Sequence, residues 1–219
     1  MNRIDAIKLI DVVPKIFAND SDHETLPSDV WRTKLVIQRG NHYCIDAASG
    51  TGKTSLCSFV YGVRRDYLGK ILFNSTDIGT YSINDWCEIR RRHIAYLPQE
   101  LDVFDELTAI DNVLLKNRLT DYKSETDIRR LFEELEIDNR IDTPAGRMSV
   151  GQRQRVAIIR ALCQPFDFII LDEPVSHLDE KNNIRCAEMI SDEAKRQEAG
   201  IIYTSVGNRL AIGGDVLKL

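Results

Sequence analysis

The sequence predicts an α/β fold built on a mainly parallel sheet, and two observations carry that prediction. Short apolar runs with the length and composition of buried strands alternate with longer stretches whose apolar residues recur at helical spacing. Strands that alternate with helices form parallel sheets, because each helix carries the chain back to the start of the next strand. The chain has 219 residues, of which 43% are hydrophobic, so it can bury a core without a disulfide or a metal.

Six strands and five helices are predicted along the chain. The predicted strands are residues 6–13, 34–37, 43–45, 70–73, 168–171 and 200–204. The predicted helices are residues 53–61, 109–116, 125–135, 152–163 and 180–196. In the fourth helix the apolar residues share one face, so we expect Arg153, Arg155 and Arg160 to face outward. The polar segment of residues 18–29 is a predicted surface loop.

The middle of the chain, about residues 100–159, is charged and poor in strands. We therefore expect a helical subdomain in this stretch, inserted into a sheet-containing core of about residues 1–99 and 160–219. The two parts together make one predicted domain, residues 1–219.

Composition and charge argue against several classes of protein. The chain has 29 Lys and Arg against 34 Asp and Glu, a net charge of -5, so we expect no nucleic-acid partner. No apolar run is long enough to cross a bilayer, so we expect any membrane-spanning half to be another polypeptide. The five cysteines are scattered and form no CxxC pair, so neither a zinc site nor a disulfide framework is predicted.

Residues 47–55, which read AASGTGKTS, lie between a predicted strand and a predicted helix, as a phosphate-binding loop requires. Its glycines let successive backbone N–H groups point at one anion, and the helix N-terminus adds a partial positive charge. We expect Lys53 to reach the β- and γ-phosphates of a nucleotide and Thr54 to coordinate Mg²⁺. Ala47 replaces the first glycine of the usual pattern. We expect the loop to form nevertheless, with Ala47 at a φ that alanine tolerates. The alternative is a Gly- and Ser-rich turn with an exposed lysine.

Two acids, Asp172 and Glu173, end the apolar run of residues 168–171. Carboxylates beside buried residues are costly unless a cation or hydrogen bonds meet their charge. In a nucleotide site Asp172 would hold Mg²⁺, directly or through water, and Glu173 would orient or deprotonate the attacking water. The alternative is a strand end at which Asp172 meets water. The phosphate loop favours the nucleotide site, because each motif supplies what the other lacks.

A second anion site is predicted at residues 148–155, which read MSVGQRQR. Ser149 can cap a helix that starts near Gly151, and such a helix N-terminus attracts anions. An ordinary capped surface helix is the alternative. Two anion sites with one set of Mg²⁺ ligands fit a head-to-tail pair of chains, in which each chain completes the nucleotide site of the other.

These motifs, taken in order, resemble those of the ATP-binding cassette subunit of an ABC transporter over essentially the whole chain. Residues 50–55 match its Walker A loop, and residues 172–173 its Walker B acid and catalytic glutamate. Gln99 in the stretch YLPQ resembles the Q-loop glutamine, which contacts Mg²⁺ or water and senses the membrane partner. Residues 149–152 resemble the signature, and residues 176–179 the D-loop. The nucleotide contacts that the resemblance implies are Ser49, Gly50, Thr51, Gly52, Lys53, Thr54, Ser55, Ser149, Gly151, Gln152 and Asp179.

The resemblance implies a fold and a partner. The fold is a P-loop NTPase (RecA-like) core with an inserted helical subdomain and an N-terminal antiparallel β region. The implied function is binding of ATP and Mg²⁺, dimer closure and hydrolysis, coupled to transport through separate transmembrane permease subunits. The cassettes would form a homodimer or a heterodimer in the cytoplasm, on the inner face of the membrane. Phe17 is the candidate for stacking on adenine, with Trp31 and Tyr43 as alternatives.

The stretch FDELTAIDNV, residues 104–113, is similar to one in the lipoprotein-release, macrolide-export and cell-division group of cassettes. The apolar residues Leu101, Val103, Phe104 and Leu107 lie between acids in or beside it. They would either form a groove for a short helix of a membrane protein or pack the helical subdomain.

Two positions depart from the family pattern. Val150 replaces the first signature glycine, and valine does not adopt a positive φ cheaply, so we expect a looser phosphate site on the facing chain. Ser205 stands where the family has its switch histidine, and our hypothesis is that hydrolysis persists more slowly, with Ser205 acting directly or through water. Two other functions stay open: a regulatory cassette of a membrane complex, and a mechanical ATPase of the DNA-repair or ribosome-acting kinds.

Overall fold

A five-stranded parallel sheet is the centre of the fold. The structure, a computed structural model, describes residues 2–18 and 28–219, so most of the predicted loop at residues 18–29 lies outside the described residues. The sheet has the order β6-β7-β8-β3-β9, and all four strand pairs are parallel. Its strands are β3 (His42–Asp46), β6 (Ile94–Leu97), β7 (Phe168–Leu171), β8 (Gly200–Ser205) and β9 (Asp215–Lys218). Every residue of β7 and β8 is buried, as expected for parallel strands covered on both faces.

A second, antiparallel sheet has the order β2-β1-β4-β5. It consists of β1 (Ala6–Pro14), β2 (Lys34–Gln38), β4 (Tyr67–Phe73) and β5 (Thr76–Asp77). The register of β1 with β4 shifts between Ile10 and Val13, where Asp11 has a φ of 51°. Gly69 lies opposite this bulge with a φ of 85°, and a Cβ there would come within 2.3 Å of the Asp11 carbonyl oxygen. The bulge therefore requires a glycine on the facing strand.

Six α-helices cover the sheets in the described part of the chain. They are α1 (Lys53–Val60), α2 (Ile83–Arg92), α3 (Ala109–Asn117), α4 (Glu125–Glu134), α5 (Val150–Leu162) and α6 (Glu180–Gln197). None of the helices within residues 2–18 and 28–219 is both long enough and apolar enough to cross a bilayer. From residue 100 to the start of α5, the chain forms α3, α4, short 3-10 turns and one isolated bridge. Helix α5 itself runs across the expected subdomain boundary at residue 159, and the division into subdomain and core stays a prediction.

Two hydrophobic cores lie on opposite sides of the parallel sheet. One is formed with α3 to α6, and the other contains α1 and α2 and the inner face of the antiparallel sheet. Strand β7 contributes alternate residues to each: Ile169 and Leu171 to the first core, Phe168 and Ile170 to the second. This double burial is the reason that β7 reads as an unbroken apolar run.

The structure confirms all six predicted strands and all five predicted helices, and it adds elements that the sequence did not indicate. Helix α2 went unpredicted because only Trp86 and Ile89 are buried in it. Its start is nevertheless marked by a capping box, in which Ser82 and Asp85 satisfy each other's backbone N–H groups. The prediction that the arginines of α5 face outward is wrong for Arg155 and Arg160, whose partly buried guanidinium groups bond to backbone carbonyls of other segments.

Candidate functional site

The predicted site residues converge at one edge of the parallel sheet. The phosphate loop follows β3, Gln99 follows β6, Asp172 follows β7, and Ser205 ends β8. Since neighbouring parallel strands run in the same direction, their carboxyl ends meet at one edge, and ligands of open α/β sheets bind there. The fold thus brings together segments that are more than 70 residues apart, as the contact between Gln99 and Glu173 shows.

The phosphate loop joins β3 to α1 in a conformation that its glycines permit. Gly50 has a φ of 84° and Gly52 a φ of 101°. A Cβ on Gly52 would lie 3.1 Å from side-chain atoms of both Phe17 and Trp31, so a side chain at this position is doubly unfavourable. Ala47 is not among the described residues with positive φ, so the structure confirms that alanine is tolerated there.

Lys53 begins α1 and is 5% exposed, with its ammonium group held inside the loop. The Nζ atom donates to the carbonyl oxygens of Ala47 at 3.1 Å and Ala48 at 2.7 Å. It lies 3.9 Å from Oε1 of Glu173. A buried cation at a helix N-terminus, beside a glycine-containing loop, is suited to bind phosphate oxygens.

Asp172 and Glu173 leave β7 with very different environments. Asp172 is 1% exposed; its Oδ1 accepts from the Thr204 hydroxyl at 2.6 Å, and its Oδ2 has no hydrogen-bond partner. Glu173 has a φ of 50°, a left-handed conformation that a residue other than glycine adopts at a cost. Its N–H donates to the Thr204 hydroxyl at 2.9 Å. The left-handed turn separates the two carboxylates and leaves that of Glu173 facing the loop.

Gln99 connects the loop with the acids. The Thr54 hydroxyl donates to Oε1 of Gln99 at 3.4 Å, and Nε2 of Gln99 donates to Oε2 of Glu173 at 3.3 Å. Thr54, Gln99 and Glu173 therefore form one line of side chains across the carboxyl edge of the sheet.

The residues at this edge fit a magnesium ion that is bound together with a nucleotide. A buried carboxylate oxygen without a partner, such as Oδ2 of Asp172, is costly unless a cation or water meets it. Among the described residues, no three His, Cys, Asp or Glu side chains come together as a metal cage. Mg²⁺ is commonly held by proteins through one or two carboxylates together with substrate phosphates. Thr54, Gln99 and Asp172 are the side chains that would hold it.

The structure adds Thr204, which sequence reasoning missed. Its hydroxyl bonds both to Asp172 and to the backbone of Glu173, and its side chain is 1% exposed. The available signal was its position, because the parallel register pairs Leu171 with Tyr203 and so places Thr204 beside Asp172.

Ser205 lies next to the site, but its hydroxyl is engaged elsewhere. The side chain is 1% exposed, and Oγ donates to the Asn208 carbonyl oxygen at 3.0 Å. Asn208 in turn donates to the Val175 carbonyl oxygen at 3.1 Å. The structure thus places Ser205 at the carboxyl edge with its hydroxyl bonded to Asn208 and not to Glu173, and its catalytic role stays a prediction.

The signature segment begins α5 with a capping box. Gln152 N–H donates to the Ser149 hydroxyl at 3.3 Å, and Ser149 N–H donates to Oε1 of Gln152 at 2.9 Å. Val150 is the first helical residue, is 41% exposed and is not among the described residues with positive φ, so the expected backbone conflict does not arise. Within the chain, the backbone at Gly151 is the part of the signature that lies close to another segment: a Cβ there would lie 3.0 Å from the His177 carbonyl oxygen.

Gln154 is a second residue that sequence reasoning missed. It is 1% exposed on α5; its Nε2 donates to the Glu173 carbonyl oxygen at 3.3 Å, and its Oε1 accepts from the His177 N–H at 3.2 Å. One amide thereby connects the helix of the signature with the turn of Glu173 and with the D-loop. Asp179 caps α6 from the end of the D-loop, and its hydrogen bond from the Asn182 N–H holds the pKa of its exposed carboxyl below the ordinary value.

Two aromatic residues border the phosphate loop. Phe17 and Trp31 both lie against Gly52, and Nε1 of Trp31 donates to the Thr51 carbonyl oxygen at 3.2 Å. Tyr43 is 5% exposed in the core, and its hydroxyl accepts from the Gln38 N–H, so it is removed as an alternative for stacking on a base. Phe17 and Trp31 stay as candidates.

Comparison with known proteins identifies the family. The family model described as ABC transporter matches residues 31–176. The chain belongs to this family. Membership confirms the resemblance that the motifs carried, and it places the chain among ATP-binding cassettes, the ATPase class that was predicted.

Curated relatives of this ABC family member include exporters and importers at similar identity. A macrolide export ATP-binding/permease protein of Bartonella henselae is 28% identical over 96% of this chain and 32% of its own length. A lipoprotein-releasing system ATP-binding protein of Syntrophotalea carbinolica is 29% identical over 83% of this chain and 81% of its own. A molybdate/tungstate import ATP-binding protein of Pyrococcus abyssi is 29% identical over 78% of this chain, which spans 47% of that relative.

A solved structure confirms the predicted fold class for this cassette. The dimeric structure of a bacterial ABC transporter cassette matches with a TM-score of 0.80 and 22% identity, covering 97% of this chain and 94% of the other. At this level of identity the likeness concerns the fold.

Proposed function

We propose that this cassette binds ATP with Mg²⁺, pairs head to tail with a second cassette, and hydrolyses ATP to drive transport through separate membrane subunits. The observation that carries the proposal is the convergence of Lys53, Gln99 and Glu173 beside the buried, half-paired carboxylate of Asp172. The three residues come from three distant segments, and an ordinary strand edge gives no reason for a buried cation and two acids to meet there.

Each residue at the edge has a role in this proposal. Ser49 to Ser55 surround the phosphates of ATP with backbone N–H groups and hydroxyls, and Lys53 neutralises their charge. Bound Mg²⁺ supplies further neutralisation of the β- and γ-phosphates. Glu173 accepts a proton from the attacking water as general base, and Gln99 orients that water or the metal through its amide. Phe17 stacks on the adenine.

The proposed dimer follows from the second anion site. Ser149, Gly151 and Gln152 begin α5 in the same chain that contributes the metal ligands, and Val150 is exposed beside them. In a head-to-tail pair this helix start faces the γ-phosphate held by the other chain, and Asp179 lies close by on the D-loop. A related bacterial cassette of the same fold is dimeric in its solved structure, which supports this arrangement.

A groove beside the Q-loop is the proposed docking site for the permease. It has a volume of about 300 Å³ and is lined by Tyr61, Tyr96, Pro98, Asp102, Phe104, Leu115, Lys116, Arg160 and Ala161. Phe104 and Leu115 are 54% and 42% exposed, whereas Leu101 and Val103 pack into the core. The packing of Leu101 and Val103 leaves Phe104 and Leu115 as the apolar side chains that we propose for docking. An amphipathic helix from a membrane subunit would bury the exposed pair, and it would hold the cassette on the inner face of the membrane.

The first experiment measures ATP hydrolysis by the purified chain and its Glu173→Gln variant. Loss of a general base lowers turnover by about 10²–10⁴-fold. We expect this variant to keep its affinity for ATP and to form an ATP-dependent dimer in size-exclusion chromatography. Glu180→Gln, an exposed glutamate at the start of α6, is the matched control and should hydrolyse ATP normally. Normal hydrolysis in Glu173→Gln would remove Glu173 as the base.

The second experiment tests coupling to transport. We expect the chain to co-purify from membranes with a permease, and ATP hydrolysis to rise when the transported substrate is added to the reconstituted complex. A Phe104→Asp substitution should release the permease without changing hydrolysis by the chain alone. Retention of the permease by that variant would contradict docking at this groove.

A regulatory cassette with slow hydrolysis is the second candidate, and the position of Ser205 favours it. Its hydroxyl donates to the Asn208 carbonyl oxygen and not to Glu173. A serine is also shorter than the histidine of the family pattern and is never cationic. Ser205→His should raise turnover, and Ser205→Ala should change it as well; unchanged rates in both variants would exclude a switch role for Ser205.

A further inference from the structure

The backbone just after Gln99 is strained. Leu101 and Asp102 have φ values of 66° and 49°, so two consecutive residues other than glycine adopt the left-handed region. Aspartate tolerates this region better than most residues, but leucine does not. Burial holds the Leu101 side chain, which is 8% exposed in the core formed with α3 to α6. Such a turn persists only where its surroundings hold it in place.

Arg160 on α5 supplies that support. One guanidinium nitrogen donates to the Leu101 carbonyl oxygen, and another donates to the Asp102 carbonyl oxygen. Burial lowers the pKa of Arg160, while the nearby Asp102 carboxylate opposes this effect, and the group stays charged at neutral pH. The planar guanidinium therefore holds two successive carbonyl groups at once, a geometry that a lysine or an amide does not reproduce.

The turn held by Arg160 lies between two parts of the molecule with proposed roles. On its N-terminal side, Gln99 bonds to Thr54 and Glu173. On its other side, Asp102 and Arg160 line the docking groove. Arg160 bonds to the carbonyl oxygens of Leu101 and Asp102, and the backbone of residues 100–102 connects this turn to Gln99.

We propose that Arg160 is a positioning residue for Gln99: it holds the left-handed turn at Leu101 and Asp102 and thereby sets where the glutamine amide stands relative to Glu173. The inference rests on the proposed ATPase function.

A double-mutant cycle tests whether Arg160 acts through Gln99. We expect Arg160→Gln to lower kcat for ATP by about 10-fold or more, because small displacements of aligned groups are costly in rate. In a Gln99→Ala background the same change should alter kcat by less than about twofold, since the group that Arg160 positions is already gone. If Arg160→Gln lowers kcat by the same factor with and without Gln99, the proposal is wrong.

Rescue by glycine separates positioning from a merely structural effect. Glycine adopts a φ near 50° without strain, so Asp102→Gly should restore most of the kcat that Arg160→Gln loses. Asp102 is exposed, so its removal leaves the core intact. Arg160→Lys should behave like Arg160→Gln. Arg90→Gln is the matched control, because Arg90 also donates to two successive carbonyl oxygens, those of Tyr61 and Gly62. Arg90→Gln should unfold at a lower urea concentration than the wild type but keep its kcat.

Hydrogen–deuterium exchange gives a readout that needs no hydrolysis. In Arg160→Gln we expect faster exchange at the amides of residues 99–104, and in Arg90→Gln no change there. If the wild-type chain shows no ATP hydrolysis, the proposed function fails, while this exchange result still decides whether Arg160 holds the turn. Unchanged exchange at residues 99–104 in Arg160→Gln would overturn the inference.

Discussion

Replacing Thr204 with valine tests how the acids at the end of β7 are held. The Thr204 hydroxyl accepts from the Glu173 N–H at 2.9 Å and donates to Oδ1 of Asp172 at 2.6 Å. Valine has the same shape but no hydroxyl, so both partners lose a hydrogen bond while the packing is kept. The other oxygen of Asp172 is already without a partner, so no neighbouring group compensates.

The structure sets the size of the effect. A buried carboxylate oxygen left without its donor and a partly buried N–H left without its acceptor together cost roughly 2–4 kcal/mol. Thr204→Val should lower the free energy of unfolding by that amount and still fold, since domains have about 5–15 kcal/mol of stability. Loosening the left-handed turn at Glu173 should also lower kcat by about 10-fold or more.

Urea unfolding and ATP turnover, measured on the same preparations, check this expectation. Thr204→Ser keeps the hydroxyl and loses one methyl group, so it should cost about 1 kcal/mol and keep most of kcat. If Thr204→Val and Thr204→Ser have equal stability and equal turnover, the hydroxyl does not hold the acids in the way that the structure indicates.

Three further predictions concern other parts of the site. Gly151→Ala should slow hydrolysis and weaken the ATP-dependent dimer, because a Cβ there lies 3.0 Å from the D-loop carbonyl oxygen of His177. Val150→Ala, at an exposed position, should change neither. If the two variants dimerise equally well, the prediction is wrong. Phe17→Ala should weaken the binding of ATP by about 1–3 kcal/mol but leave the binding of tripolyphosphate, which has no base, unchanged. Isothermal titration calorimetry measures both affinities, and an equal loss of affinity for the two ligands would exclude stacking. Burial, helped by a nearby guanidinium, lowers the pKa of Lys116 from 10.5 to about 8, so the free energy of unfolding should rise with pH between these values. In Lys116→Met, urea unfolding should show no such rise with pH. If the unfolding free energies of the variant and the wild type change with pH in the same way, the prediction is wrong.

Much of the fold could be predicted from the sequence, because the buried strands carry their own signal. The run of residues 168–171 is apolar throughout, since β7 is buried on both faces. Helix α2 and strand β9 could not be predicted in the same way, because both are largely exposed and carry charged residues beside few buried apolar ones. Helix α2 is placed by its packing against β6, and β9 by its pairing with β3.

The candidate site, too, was only partly predictable from the sequence. The phosphate loop, the paired acids and the helix cap at Ser149 were predicted because each needs particular residue types at short, fixed spacing. At Val150 the structure shows no backbone conflict, since the helix starts at that residue and the close contact within the chain falls on Gly151. The looser phosphate site expected on the facing chain stays a prediction.

By itself, then, the sequence determined the order of the motifs and the family, and it supplied the residues that we propose meet a nucleotide. Only the tertiary structure decided how those residues are held. Thr204 reaches Asp172 across 32 residues, and Arg160 reaches the turn after Gln99 across 58. Local spacing does not encode such contacts, because they depend on the register of parallel strands and on the packing of α5 against the sheet. A hydroxyl and a guanidinium that look ordinary in the sequence thereby become the supports of the proposed active site.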